Sequence, residues 1–166
     1  MTNEEYMREA LKEAALAPES GDVPVGAVLV REGEILCRAH NEREARRSPS
    51  AHAEMLCIEE GCRLLGRKTL TDCTLFVTLE PCPMCAGAIL GAKVGTVVFG
   101  APDPAAGCFG SVFDFASAPL GYAPKTVRGV CGEECGMLLT DFFRKIREKI
   151  GRIERSGRKE REDRGK

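Results

Sequence analysis

The chain has 166 residues, of which 43% are hydrophobic and 30% are charged, and its formal net charge at pH 7 is −1. This length and balance predict one soluble globular domain with a single buried core. The first residues lack a basic stretch followed by an apolar one, and no apolar run reaches the thickness of a bilayer, so we expect neither a secretory leader nor a membrane span.

The first half of the chain predicts two helices on either side of a hairpin. In chain order the elements are a helix over 2–17, strands over 23–30 and 34–39 that turn at Gly33, a polar loop over 41–50, and a helix over 52–65. Thr2 and Glu5 match a capping box at the start of the first helix. Ser50 is the predicted N-cap of the second helix, which Gly66 ends.

The second half predicts three more strands, a short helix and a long final helix. The elements are a strand over 74–79, a helix over 82–90, a strand over 93–100, a loop over 101–123, a strand over 126–130 and a helix over 133–150. Beyond Ile150 the apolar periodicity ends, so we predict a basic tail over 151–166 without regular structure. From Arg144 to Lys166 there are 11 basic against 5 acidic residues, a charge of +6, whereas the remainder has 13 against 20, or −7. A solvated terminus and a nucleic-acid contact both fit such a segment.

After the opening hairpin, strands alternate with helices along the chain. This order predicts an α/β fold in which one mixed sheet is covered by helices on both faces. Two of the strand–helix junctions carry short motifs, at the edge of the sheet where open α/β folds place their ligands.

The most specific feature of the sequence is a split motif, His52-Ala53-Glu54 followed by Pro81-Cys82-Pro83-Met84-Cys85. One imidazole and two thiolates, from His52, Cys82 and Cys85, predict a Zn²⁺ site that keeps a fourth position for water, as catalytic sites do. Glu54 is then a carboxylate that can move protons without binding the metal. This H-x-E…P-C-x-x-C pattern is typical of zinc-dependent base deaminases. It predicts attack of a zinc-activated water on a ring carbon that bears an exocyclic amine, with Glu54 as the proton shuttle.

A purely structural zinc site is the alternative. Such a site would take a fourth protein ligand, for which the candidates are Cys57, Cys73, Cys108, Cys131, Cys135 and His40. None of these belongs to a second C-x-x-C pair, and a structural site would leave Glu54 without a role. Nine cysteines in a chain without a secretory leader predict a reducing compartment, so we expect thiols, bound metal and a cytoplasmic location.

Beyond the motif, the chain resembles the bacterial tRNA-specific adenosine deaminase family. The similar stretches are VPVGAVLV at 23–30, Asn41, SAHAEM at 50–55, TLFVTLEPCPMCAGAI at 74–89, VVFGAPDP at 97–104 and EEC…LLTDFFR at 133–144. The resemblance implies a three-layer α/β/α cytidine-deaminase-like fold with a five-stranded mixed sheet. It also implies one zinc per subunit, a homodimer, and a tRNA anticodon stem-loop as the partner. We therefore assign residues 1–150 to a deaminase domain and residues 151–166 to the tail.

The resemblance also implies roles for single residues. His52, Cys82 and Cys85 match the zinc ligands and Glu54 matches the proton shuttle. Asn41 matches an asparagine that hydrogen-bonds the flipped base, and Asp103 matches an aspartate that contacts the nucleic-acid backbone. Further substrate-binding candidates are Ala53, Arg46 and Phe143. From the residues alone, Asn41 and Asp103 could equally shape their loops, and Phe143 could pack in the core.

The chain departs from the family pattern at several positions, which are Gly91, Pro102, Cys108, Phe109 and Tyr122. We expect these positions on the substrate surface, where they would change the tRNA contacts and leave the deaminase chemistry intact. The predicted function is deamination of the wobble adenosine of a tRNA anticodon to inosine. The alternatives are a small-molecule deaminase of guanine or cytosine on the same scaffold and a non-catalytic RNA-binding module.

Overall fold

A computed structural model describes residues 1–165 of the chain. The helices are α1 (Asn3–Ala14), α2 (Arg43–Arg46), α3 (Ala53–Leu65), α4 (Pro83–Gly91) and α5 (Gly132–Arg164), and a 3-10 turn spans Ala17–Ser20. The strands are β1 (Gly26–Arg31), β2 (Glu34–His40), β3 (Cys73–Leu79), β4 (Thr96–Ala101) and β5 (Lys125–Arg128). Among residues 1–165, no helix is both long enough and apolar enough to cross a bilayer.

The five strands form one mixed sheet in the order β2-β1-β3-β4-β5. Strand β1 is antiparallel to β2, in the predicted hairpin, and also to β3. Strands β3, β4 and β5 run parallel to one another. Parallel neighbours need crossover connections, and α4 supplies the one between β3 and β4. The carboxyl ends of β3 and β4 therefore lie side by side at one edge of the sheet.

Alternate residues of the central strands face opposite layers of helices. On one face, Val28, Phe76 and Val98 pack in a buried cluster with residues of α1 and α5. On the other face, Leu29 and Val77 belong to a larger cluster with residues of α3 and α4. Both faces of the sheet are apolar because both are covered. The predicted three-layer α/β/α architecture with a five-stranded mixed sheet is confirmed.

The residues predicted to cap the helix starts are confirmed for α1 and wrong for α3. The capping box of Thr2 and Glu5 is present in α1. In α3, however, the N-cap is His52 and not Ser50, so the motif histidine stands just before the helix. The predicted loop over 41–50 contains the short helix α2, whose first N–H groups at Glu44 and Ala45 donate to the buried Asp22 carboxylate.

The prediction of an irregular tail from residue 151 is wrong, because α5 continues to Arg164. This last part of α5 is exposed on nearly all sides, so it needs no apolar stripe and leaves no helical periodicity in the sequence. Its arginine, lysine and glutamate residues are good helix formers. Lys166, the final residue of the predicted tail, lies outside the described residues.

Candidate active site

The predicted metal ligands come from the starts of two helices. His52 is the N-cap of α3, and Cys82 is the N-cap of α4, which follows directly on β3. Cys85 lies in the first turn of α4 and is fully buried. A helix start presents unpaired N–H groups and a partial positive charge, which favour thiolates over thiols. The local fold thus prepares both cysteines for a cation.

The three side chains converge on one point. The Nδ1 atom of His52 lies 3.6 Å from Sγ of Cys82 and 3.5 Å from Sγ of Cys85, and all three ligand atoms lie within 4.8 Å of one another. Tetrahedral Zn²⁺ with Zn–S bonds of about 2.3 Å and a Zn–N bond of about 2.0 Å would hold nitrogen and sulfur about 3.5 Å apart. The donor set and its spacing therefore fit zinc, which these three side chains would hold.

Mutual contacts set the protonation of the three ligands. The pKa of Cys82 falls to about 4 because the Cys85 thiol, and then His52, hydrogen-bond to its sulfur. The pKa of Cys85 is raised by the same contact with Cys82 and by burial. The hydrogen bond to Cys82 raises the pKa of His52. One thiolate is thus already stabilised in this arrangement, and a metal ion stabilises the second by binding it.

Glu54 lies beside the ligands without belonging to the group of three. It is in the first turn of α3, with 4% of its surface exposed. Burial raises its pKa to about 7. A non-ligating carboxylate next to a three-ligand zinc site is the feature that separates a catalytic site from a structural one.

A cavity of about 230 Å³ opens in front of these side chains. It is lined by Val23, Val25, Asn41, Arg43, His52, Ala53, Glu54, Leu79, Glu80, Cys82, Asp103 and Ala106. The structure thus brings together two of the predicted metal ligands, the predicted proton shuttle Glu54, the two main substrate-binding candidates and Ala53. The third predicted ligand, Cys85, is fully buried and is not among the lining residues.

Asn41 is placed to contact a ligand and is also part of its loop. Its Nδ2 donates to the carbonyl of Val23 at 3.3 Å, and its Oδ1 accepts from the N–H of Arg43 at 3.4 Å. The first bond uses one of two N–H donors of the amide, so the same group can offer the other to a base in the cavity.

Asp103 shapes the loop that follows β4. Its Oδ1 accepts from the N–H groups of Ala105 and Ala106 at 3.0 and 3.2 Å. This is the loop-forming role that the residue type alone predicts. Asp103 also lines the cavity, so the loop role and a contact with substrate are compatible.

Two further substrate-binding candidates lie outside the cavity lining. Arg46 is exposed on α2 and forms an ion pair with Glu42, in a separate groove beside β2. Phe143 is on α5 and lines a different groove with Pro102 and Pro104. Arg43, three residues before Arg46, is the arginine that reaches the cavity wall.

Some of the departures from the family pattern are not at the surface, and the expectation for them is wrong. Phe109 is fully buried and Cys108 is 3% exposed, both within the core cluster beneath α3 and α4. The Tyr122 hydroxyl donates to the carbonyl of Val94 at 2.9 Å and so anchors its loop. Pro102 and Gly91 are exposed and Tyr122 is half-buried, so among the five departures these three can still be reached by a partner.

Two buried carboxylates at the site carry no motif in the sequence. The Asp22 carboxylate accepts hydrogen bonds from N–H groups of α2. Glu80 lines the cavity next to Cys82. Each of the two side chains is 2% exposed. The one signal for Glu80 is its position, immediately before the Pro81-Cys82 turn.

Comparison with known proteins agrees with this site. Residues 1–101 match the family model of the cytidine and deoxycytidylate deaminase zinc-binding region. A tRNA-specific adenosine deaminase of Bacillus subtilis is 52% identical over 151 residues, which cover 90% of this chain and 94% of the relative. A solved structure from a study of A-to-I editing by tRNA:A34 deaminases is 39% identical, with a TM-score of 0.79 over 81% of this chain and 99% of that one.

A guanine deaminase structure from Bacillus subtilis is less similar. It is 29% identical with a TM-score of 0.59, over 72% of this chain and 87% of that one. The guanine deaminase shares the fold over a smaller part of this chain, whereas the tRNA-specific adenosine deaminase of Bacillus subtilis matches 90% of it. The chain belongs to the zinc-dependent cytidine and deoxycytidylate deaminase family, in the branch of the tRNA-specific adenosine deaminases.

Proposed function

We propose that this protein hydrolyses the wobble adenosine of a tRNA anticodon to inosine and releases ammonia. The observation that carries the proposal is a complete deaminase site in a chain that is 52% identical to a tRNA-specific adenosine deaminase over 94% of that relative. His52, Cys82 and Cys85 would hold one Zn²⁺. When bound, zinc supplies a Lewis acid that makes hydroxide available from water at neutral pH.

Side chains of the protein then transfer the protons and orient the base. In the reaction, a bond forms between the oxygen of water and C6 of adenine, and the bond from C6 to the amino nitrogen breaks. Glu54 takes one proton from the water and gives it to a ring nitrogen, and it then carries the proton that remains on the added oxygen to the leaving amine, which departs as ammonia. Asn41 orients the base through its amide, while burial of Glu54 keeps bulk water away from the shuttle.

The substrate has to be an unstacked base, because C6 of adenine is out of reach inside a helix. An anticodon loop offers such a base, and its phosphates match the arginines near the cavity. Arg43 lines the cavity and Arg47 is exposed at the end of α2. These contacts would make the affinity fall as salt rises.

A panel of substrates tests the proposal against its alternatives. The zinc-loaded protein is incubated with an anticodon stem-loop bearing wobble adenosine, and separately with guanine, cytosine, adenosine and cytidine, and ammonia and inosine are measured. We expect turnover of the stem-loop alone. Turnover confined to a free base would instead support a small-molecule deaminase, and zinc binding without any turnover would support a binding module.

The homodimer and the cytoplasmic location are part of the same proposal. Leu64 on α3 and Met84 on α4 are exposed apolar side chains, 47% and 37% accessible, on the outer side of the layer that carries the site. A second subunit would cover them. The molar mass of the zinc-loaded protein in solution, measured by light scattering, tests the dimer, and a monomer at micromolar concentration would contradict it.

A further inference from the structure

Glu80 is a buried carboxylate that the proposed chemistry does not use. It is 2% exposed, it directly precedes the Pro81-Cys82 turn, and it lines the same cavity as Glu54. A charge buried in this way is costly unless hydrogen bonds satisfy it. Its partners therefore indicate what the residue does.

All the hydrogen bonds to its side chain come from one segment, the loop after β4. Its Oε1 accepts the N–H of Asp103 at 3.3 Å and the hydroxyl proton of Ser111. Its Oε2 accepts the N–H groups of Phe109 and Ser111, each at 3.1 Å. These donors surround both carboxylate oxygens, so Glu80 serves as an anchor and not as a second proton shuttle.

Main-chain bonds join the same two segments. The N–H of Glu80 donates to the carbonyl of Ala101 at 2.9 Å, and the N–H of Cys108 donates to the carbonyl of Pro81 at 2.9 Å. The fit is close, because a Cβ atom added at Gly107 would lie 2.2 Å from Oε2 of Glu80. The end of β4 and the 103–111 segment of the loop that follows it are thus attached to the turn that carries the first zinc-binding cysteine.

This loop forms part of the cavity wall through Asp103 and Ala106. The side chain of Glu80 supplies the acceptors for four hydrogen bonds from this loop, beside the two main-chain bonds. We propose that Glu80 is a positioning residue that holds the 103–111 segment against the zinc-binding turn and thereby sets the affinity for the RNA substrate. The inference rests on the proposed function for the identity of that substrate, while the attachment of the loop can be measured without it.

The test replaces Glu80 by glutamine, which keeps the size of the side chain but removes its charge. The NH2 group of glutamine replaces either Oε1, where the N–H of Asp103 donates, or Oε2, where the N–H groups of Phe109 and Ser111 donate, so at least one backbone N–H loses its acceptor. In the zinc-loaded full-length E80Q protein we expect one zinc per chain and faster exchange of the amides that lose their acceptor, which are either Asp103 or both Phe109 and Ser111. The KM for the anticodon stem-loop should rise about tenfold, the effect of removing one hydrogen bond to a charged group, with a smaller change in kcat.

Further variants separate positioning from general destabilisation. Glu80→Asp keeps the charge on a shorter side chain and should recover part of the affinity. Ser111→Ala removes one donor and should give a smaller rise in KM, which serves if E80Q does not fold. Glu34→Gln makes the same chemical change at an exposed site on β2 and should leave KM and exchange unchanged.

Two results would overturn the inference. One is E80Q with wild-type KM and wild-type exchange at all three amides, Asp103, Phe109 and Ser111. The other is loss of zinc or faster exchange throughout α3 and β3, since Glu80 would then support the whole fold. If the wild-type protein does not deaminate the stem-loop, the proposed function fails, and the exchange measurement still decides whether Glu80 holds the loop.

Discussion

At the scale of single residues, the groups proposed to perform the chemistry and those proposed to recognise the base lie on different kinds of backbone. The zinc ligands and Glu54 are held at helix starts, where their spacing is fixed by one turn of backbone. Asn41 and Asp103 are on loops and already hydrogen-bond main-chain groups. A substitution among the recognition residues should therefore change substrate affinity more than metal binding.

The first prediction concerns Asn41. Asn41→Ala removes the amide that would donate to the base, and it also frees the carbonyl of Val23. We expect kcat/KM for the stem-loop to fall about tenfold to a hundredfold, the effect of losing about 1–3 kcal/mol of base recognition. Zinc content, measured by mass spectrometry of the metal, should stay at one per chain. An unchanged kcat/KM would remove Asn41 from recognition.

The site residues that can be predicted from the sequence are those that lie only a few positions apart along the chain. His52 and Glu54 are two apart, and Cys82 and Cys85 three apart, so the motif encodes its own geometry. Glu80 has no such signal, because its donors come from residues 23 to 31 positions away in the chain. The surface position predicted for Phe109 is wrong for the same reason, since its burial depends on how the loop folds back over the core.

At the scale of elements, the sheet and α1 approach so closely that one residue must be glycine. A Cβ atom at Gly26 on β1 would lie 2.0 Å from the carbonyl oxygen of Ala10 and 2.4 Å from the nitrogen of Ala14. Both atoms belong to the backbone and cannot move without shifting α1. This close approach fixes the layer opposite the active site, which a hydrophobic pattern alone does not specify.

The second prediction compares two glycines. Gly26→Ala should lower the free energy of unfolding by about 1–3 kcal/mol, the usual effect of overpacking. Gly136→Ala lies inside α5, where nothing stands within 4 Å of the added Cβ, and it should raise stability by about 0.5–1 kcal/mol because alanine favours a helix. Urea denaturation of both variants measures the difference. Equal stabilities would contradict the close approach.

At the scale of the whole molecule, charge is distributed unevenly. The body of the protein is acidic, whereas α5 carries a basic end that extends to Arg164. The strands and the long helices are predictable from their apolar patterns. The end of α5 is not, because an exposed helix formed by charged residues has no buried face to leave a pattern. Its helical form gives the basic residues a fixed direction that an irregular tail would lack.

The third prediction concerns this basic end. Arg152, Arg155 and Arg158 are exposed on α5, and replacing all three by alanine keeps a helix-forming sequence while removing three charges. If they bind phosphates, the plot of log affinity for the stem-loop against log salt should become shallower by about 0.7–0.9 for each phosphate that is no longer neutralised. Titrations at several salt concentrations measure this slope. An identical slope would mean that α5 ends in solvent.

We propose that Glu54 moves the protons at a zinc site that converts wobble adenosine to inosine. The most direct measurement is single-turnover conversion of an anticodon stem-loop by the zinc-loaded wild-type protein and by Glu54→Gln, with zinc content determined for both. Because Glu54 is not among the three ligands, we predict that both proteins hold one zinc and bind the stem-loop. The wild type should form inosine, and the variant should lose at least about a hundredfold in rate. Comparable inosine formation by the variant, or none by the wild type, would contradict the claim.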